Sequence, residues 1–377
     1  MKLARVFFSC FSHAYFCRKK DKMIRLSFYR NVALSSSLPS TLYIDQCTEG
    51  YANVSVIING KVIYSATLFA DTDKRVHVYG FRRIVEDYMA AYGLSHCTLS
   101  VEADMGLGLD YLDPTLSVVY SKIRTSYEMD SDFLDTHFLT NRDAAFFNST
   151  ALFSLYFFRS SGDEPLDGYI ALVAKDEEGN TAAFNYPFSY ASANAGYAYK
   201  NISIPALQTF ISEQAPGFTL SGGTIYIAKR SFSFFITAQK PAYSFNFINA
   251  FNCWEQMPVF GCNTLKTEFA AKEAVCNGIT SFYNRESTRK YEVTTRAMTL
   301  TEARHFNDFL DSNHIYYMIP PDQDYDILIS DVTSEITDDA TEKVRFKFSW
   351  RFADNTDWRT FSDSPEVFNS NFTEAFT

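Results

Sequence analysis

The chain has 377 residues, 46% of them hydrophobic and 21% charged, enough for two or three domains that each bury a core. Its 34 basic and 44 acidic residues leave a formal charge of −10, which offers no clustered Lys/Arg footprint and argues against nucleic acid as a partner. No apolar run approaches the ~20 residues of a membrane span, and an aromatic content of 17%, with 36 Phe and 24 Tyr, favours pleated, half-buried strands over helices.

At the start, Lys2 and Arg5 precede the apolar run Val6 to Cys17, and Ser12-His13-Ala14 sketches a weak cleavage site. Arg18, Lys19, Lys20 and Lys22 follow at once, which is poor for export, and Met23 opens a run that alternates like a strand. Residues 1–22 are therefore expected to be a disordered leader or an upstream extension of the reading frame.

A β-rich domain with one helix is expected over 23–140. Val54 to Ile58 and Lys61 to Leu68 flank Asn59-Gly60, whose residues both tolerate positive φ, so a hairpin is predicted there. A helix over Phe81 to Tyr92 follows, ended by Gly93, and then a strand, Thr98 to Val101. Asp104 to Asn148 reads as long loop and connecting strands.

A second β-rich domain, 141–250, repeats that order. It has a strand at Leu152 to Phe158, a hairpin at Tyr169 to Phe184 turning at Glu178-Gly179-Asn180, and a short helix near Pro205 to Gln214. The strand Thr224 to Ala228 closes it. The two helices lie about 120 residues apart, each followed by a strand, in the manner of an internal duplication with little residue identity.

The third domain, 251–360, is expected to be β with one helix, capped by the box Thr299-Leu300-Thr301-Glu302 and buried through Leu300, Ala303, Phe306 and Leu310. Val344, Phe346, Phe348, Trp350 and Phe352 alternate with Arg345, Lys347, Ser349 and Arg351, a strand covered on one side, read here as an edge. A polar tail, 361–377, ends the chain. The fold class is thus mainly β, with β-sandwich-like domains, a few short helices, and α+β character in the C-terminal part.

Candidate chemistry is sparse. Asp322-Gln323-Asp324-Tyr325-Asp326 has the alternation of a calcium loop, but Ile327 and Thr333 stand where Gly and Glu belong, so a solvated loop is expected. Gly106-Leu107-Gly108 lies among Asp104, Asp110 and Asp113 and would repel phosphate. The six histidines have no zinc spacing, and His96 and Cys97, adjacent on a strand, point to opposite faces. No G-x-S-x-G is present. The expectation is no enzyme, no cofactor and no metal. Seven scattered cysteines read as buried free thiols made in a reducing cytoplasm, with a Cys253–Cys262 disulfide open if the two face each other across a hairpin. Tyr186, Tyr190, Tyr197 and Tyr199 sit in a small, polar stretch with the composition of a recognition loop.

Four runs carry a resemblance: Phe247 to Glu255, Ala274 to Tyr283, Arg289 to Thr295, and Ile329-Ser330-Asp331 with Phe348 to Asp354. They resemble a protein group, itself without an assigned activity, encoded by Bacteroidales genomes and their phages. The order of elements also resembles phage tail-tube and distal-tail building blocks, though in topology alone. The resemblance implies a structural virion protein in the tail or baseplate, made in the host cytoplasm. It would form a ring with itself through β-edges and contact other tail or baseplate proteins. The basic face of Arg345, Lys347 and Arg351 would then meet acidic loops such as Asp338-Asp339 of a neighbour. The alternative is a β-sandwich surface or adhesion module that binds glycan on Tyr197 and Tyr199.

Overall fold

The computed structural model describes residues 15–18, 24–26, 32–44, 47, 49–105, 109–111, 115–125, 129–159, 166–190, 196–277, 279–319, 323–333 and 343–353. It is mainly β. Strands β1 (Tyr15–Arg18), β2 (Ile24–Leu26), β3 (Val32–Leu34), β4 (Thr41–Ile44), β5 (Tyr51–Ile58), β6 (Lys61–Phe69) and β7 (Val76–Tyr79) precede helix α1 (Phe81–Ala91). Strands β8 (His96–Asp104), β9 (Leu109–Tyr111) and β10 (Leu116–Val119) follow it. Tyr15–Arg18, inside the expected leader, pairs with β2 and runs parallel to β4, so this part of the segment is a strand. The Asn-Gly turn forms as predicted, with Asn59 at φ 50° and Gly60 at φ 78°.

After a short helix α2 (Asp130–Thr136) come β11 (Ala144–Phe147), β12 (Leu152–Arg159), β13 (Leu166–Lys175), β14 (Thr181–Tyr190) and β15 (Gly196–Ser203). Helix α3 (Ile204–Gln214), β16 (Thr219–Ile227) and β17 (Arg230–Ile236) complete this part. At seven residues, α2 is too short to leave a readable period, which is why its segment read as loop.

The two parts share one topology. The first has a sheet ordered β3-β10-β8-β5-β6 and the second β11-β17-β16-β13-β14. In each, the outermost early strand runs parallel to the last one. In each, a companion ribbon, β4–β7 or β12–β15, is antiparallel and leads directly into the helix. The repeated element order is thus matched by a repeated strand order, with β1, β2 and β9 as additions to the first unit. Phe81, Val85 and Met89 of α1 meet Val54, Val56, Leu99 and Val101 in one core, and Ile204, Leu207 and Ile211 of α3 meet Leu172, Ile225 and Phe234 in the other.

The last part differs. Strands β18 (Tyr243–Ile248), β19 (Trp254–Val259), β20 (Gly261–Cys276) and β21 (Ile279–Thr295) come first. Helix α4 (Leu300–Leu310) follows, then β22 (Ile315–Ile319), β23 (Gln323–Thr333) and β24 (Lys347–Phe352). The sheet runs β19-β18-β22-β23-β24-β21-β20, so it begins at Tyr243, eight residues before the expected border at 251. The capping box forms in full, and α4 lays Ala303, Phe306 and Phe309 on Phe245, Phe247, Phe346 and Phe348.

Because β24 pairs with β21 on one side and β23 on the other, the expected edge strand is an interior one. Alternation reports which face is covered and reads the same at a sheet's centre as at its edge. The candidate calcium run also differs from the expected loop, with Asp324 and Asp326 in β23 opposite Met318 and Tyr316.

Phe309 is fully buried and has Phe245, Phe247 and Phe306 ring centroids 5.3 to 5.5 Å away. Phe309→Ala is expected to lower stability by about 3–5 kcal/mol in urea unfolding, the cost of emptying an aromatic site that cannot collapse.

Candidate assembly surface

Strands β20 and β21 form a hairpin much longer than the sheet that anchors it. Strand β24 pairs with β21 over Tyr291–Thr294, so from Lys266 to Cys276 the ribbon extends about 35 Å at ~3.3 Å per residue. Among the described residues no other strand pairs with that length. Its base is tight: a Cβ on Gly261 would sit 2.1 Å from the Thr294 carbonyl oxygen, so glycine lets the strands close there. The tip carries Asn277 at φ 53° followed by Gly278 in sequence, the same dipeptide that marked the first hairpin and the signal that could have revealed this one.

Both faces of the arm mix apolar and charged residues: by register Thr267 lies opposite Arg289 and Ala271 opposite Arg285 on one, and Cys276 opposite Ile279 on the other. Leu265 lies opposite Tyr291, whose ring stacks on the buried Trp350 at 4.3 Å, so Leu265, Thr267, Phe269 and Ala271 continue the core face outward. Leu265, Val275 and Ile279 are 53, 71 and 70% exposed. On the other face Lys266 pairs with Glu292 at 2.5 Å and Lys290 with Glu268 at 3.4 Å. The Lys266 hydrogen bond to Glu292 holds that exposed carboxyl below its ordinary range. A two-stranded ribbon is marginal in water by itself, and an exposed apolar ribbon is a template for association.

Of the residues singled out from sequence, Arg345 and Lys347 are exposed on the outer face of the sheet, and Arg351 shares it, opposite Leu328. Lys347 lies beside Glu292 of its own chain. Asp338 and Asp339, like Gly106-Leu107-Gly108, fall outside the described residues. Tyr197 and Tyr199 flank Tyr156 at 5.4 and 5.6 Å. Both rings are exposed, Tyr197 at 38% and Tyr199 at 49%, and burial of the Tyr197 hydroxyl raises its pKa above that of an ordinary phenol. Cys253 is buried and Cys262 exposed, both free, so the disulfide does not form. Cys97 packs on Met89 while the His96 ring packs on Phe158, in keeping with their opposite faces.

Sequence reading missed the polar junction where the three parts meet. Arg142 Nε lies 2.5 Å from Glu255 Oε1, and Thr140 Oγ1 and Asn249 Nδ2 donate to the same carboxylate. His305 Nε2 approaches to 3.4 Å, and its Nδ1 is held by Asn141. Burial pushes the Glu255 carboxyl up, but Arg142, His305, Asn249 and Thr140 together hold it below the ordinary range. Burial keeps His305 neutral, with a pKa of about 3, and lifts Asp308 to about 7 with help from the Glu255 charge. These groups have acid–base chemistry, yet Arg142, Glu255 and His305 are 5 to 8% exposed and face one another across a packed seam. Among the described residues no His, Cys, Asp or Glu cluster is arranged to hold a metal, and no helix is long and apolar enough to cross a membrane.

No protein-family model and no curated protein matches the chain.

Glu255→Ala leaves Arg142 buried without its partner and is expected to cost about 3–5 kcal/mol in urea unfolding. His305 is neutral when folded but binds a proton below ~6.5 when unfolded, so its contribution to stability rises with pH between about 3 and 6.5. The stability gap between the native chain and His305→Gln is therefore expected to widen by roughly 1.4 kcal/mol per pH unit up to ~6.5 and to level off above it.

Proposed function

We propose that this chain is a structural assembly subunit of a tailed-phage virion, a tail or baseplate component that forms a ring with copies of itself and contacts other tail or baseplate proteins. The observation that carries the reading is the β20–β21 arm. It is based in a packed sheet, it exposes the apolar side chains Leu265, Phe269, Val275 and Ile279, and it has strand edges without a partner strand among the described residues. Such a ribbon becomes stable when a neighbour covers it. The arm replaces the Val344–Phe352 segment as the candidate interface, since that segment is paired on both sides.

The phage setting rests on the resemblance carried by Phe247–Glu255, Ala274–Tyr283 and the C-terminal runs. The burial of the acid–base groups in a structural seam favours a non-catalytic role.

Light scattering of the full chain is expected to give a mass above the monomer that rises with concentration to a closed ring. Val275→Glu is expected to weaken self-association at least tenfold. Burying a valine is worth about 1.5 kcal/mol, and burying an unpaired carboxylate costs more. Far-UV circular dichroism should not change, because Val275 is exposed in the single chain. A mass that stays monomeric across the concentration range contradicts the reading.

A further inference from the structure

His305 and Asp308 are three residues apart on α4, so both project from one side of the helix into the seam. The seam therefore holds two carboxylates and one guanidinium. Glu255 takes the Arg142 guanidinium together with the bonds from Asn249 and Thr140. Asp308 is left with one hydrogen bond among the described residues, accepted from the Ala250 amide at 3.3 Å.

The charges around Asp308 come from every element packed there. Glu255 stands on β19, Asp311 at the end of α4, Arg142 in the second repeat and Lys122 in the first. Lys122 is exposed, so water and salt screen its attraction, whereas Glu255 is buried and its repulsion is not screened. With Arg142 balanced by Glu255 and His305 neutral, an ionised Asp308 would leave the seam with one uncompensated negative charge, which a buried site disfavours. Burial and the Glu255 charge accordingly hold the Asp308 carboxyl up at about 7.

The one bond that Asp308 accepts lies on the line between two parts of the molecule. Ala250 N donates to Asp308 Oδ2, and Ala250 O accepts from Lys122 N at 2.9 Å, so Ala250 of the β18–β19 loop ties α4 to the first repeat. We propose that Asp308 is a proton-operated latch: with its proton on, α4 holds the β18–β19 loop and through it the first repeat, and ionisation loosens that hold. The latch does not depend on the assembly reading. Its sign follows from linkage. The closed seam raises the carboxyl above its ordinary value of about 3.9, so the proton's contribution is full below that value and is lost as pH rises to about 7. His305 acts in the opposite sense, because an opened seam lets it take a proton below ~6.5. Comparison with a variant uncharged at position 308 isolates the Asp308 share.

The test compares the full native chain with Asp308→Asn by hydrogen exchange of the Ala250 and Lys122 amides, read by NMR from about pH 5 to about pH 8.5. The ratio of native to variant rates at one amide cancels the intrinsic pH dependence of exchange. That ratio is expected to rise roughly tenfold per pH unit up to about 7 and to level off above it, one proton being lost on opening. On that upper plateau the Ala250 and Lys122 amides of the native chain are expected to exchange at least tenfold faster than those of β16, because the seam opens while the second repeat stays folded. A ratio that does not change with pH overturns the latch. Seam amides that exchange no faster than β16 amides also overturn it, since the seam then opens only when the whole chain unfolds. Asp308→Leu, likewise uncharged at every pH, is the reference should the amide variant fail to fold.

Discussion

Arg142 and Glu255 meet inside a seam where every part of the molecule converges, and the relative placement of the three cores depends on that contact. Arg142 enters from the second repeat, Glu255 from β19 and His305 from α4. The loop between β18 and β19 carries the first repeat into the same seam. Asn252 Nδ2 donates to the carbonyls of Met89 and Leu94, Ser95 Oγ donates to Asn252 O, and Lys122 N donates to Ala250 O. Leu34, Val119, Leu134, Leu139, Phe158, Phe251 and Cys253 pack around these bonds. Desolvating so many polar groups is unfavourable unless each finds a partner, so the seam tolerates one arrangement of the three parts and penalises others. Arg230 extends the same logic, donating to the carbonyls of His137, Leu134 and Phe158 so that α2 is fixed to the second repeat.

With that frame fixed, the duplicated units have diverged on their exposed faces while keeping their cores. Both retain a helix whose buried stripe faces a sheet, six-stranded in the first unit and five-stranded in the second, because that stripe is what makes each unit fold. The outward positions of the strands carry no such constraint. In the first repeat they mix Ser, Thr, Asn, Asp and Glu with exposed Tyr51, Val62 and Phe69, and in the second they hold Tyr, Phe, Val, Ala and Gly beside Ser and Thr. A period-2 strand lets one face change without disturbing the other.

Features whose signals are local were legible in the sequence: the Asn59-Gly60 turn, the Thr299–Glu302 capping box, the α1 and α3 stripes, and the alternation that buries Phe346, Phe348 and Trp350. Features set by long-range pairing were not. Nothing in Val344 to Phe352 distinguishes a central strand from an edge, and one partner strand, β21, ends 52 residues before β24 begins. The seam was invisible for the same reason, with Arg142, Glu255 and His305 spread over more than 160 positions of the chain. The arm is the instructive case: Asn277-Gly278 is a turn signal that went unread, and the exposed aliphatics beside it are of the kind that core strands carry.

The account turns on whether the arm is covered in the working state of the protein. Hydrogen–deuterium exchange of amides 266–276 and 279–290, followed across a dilution series, tests this most directly. Slow exchange at high concentration that becomes fast on dilution, while the amides of α4 stay protected throughout, is the predicted result. Exchange in the arm that is the same at every concentration contradicts the account.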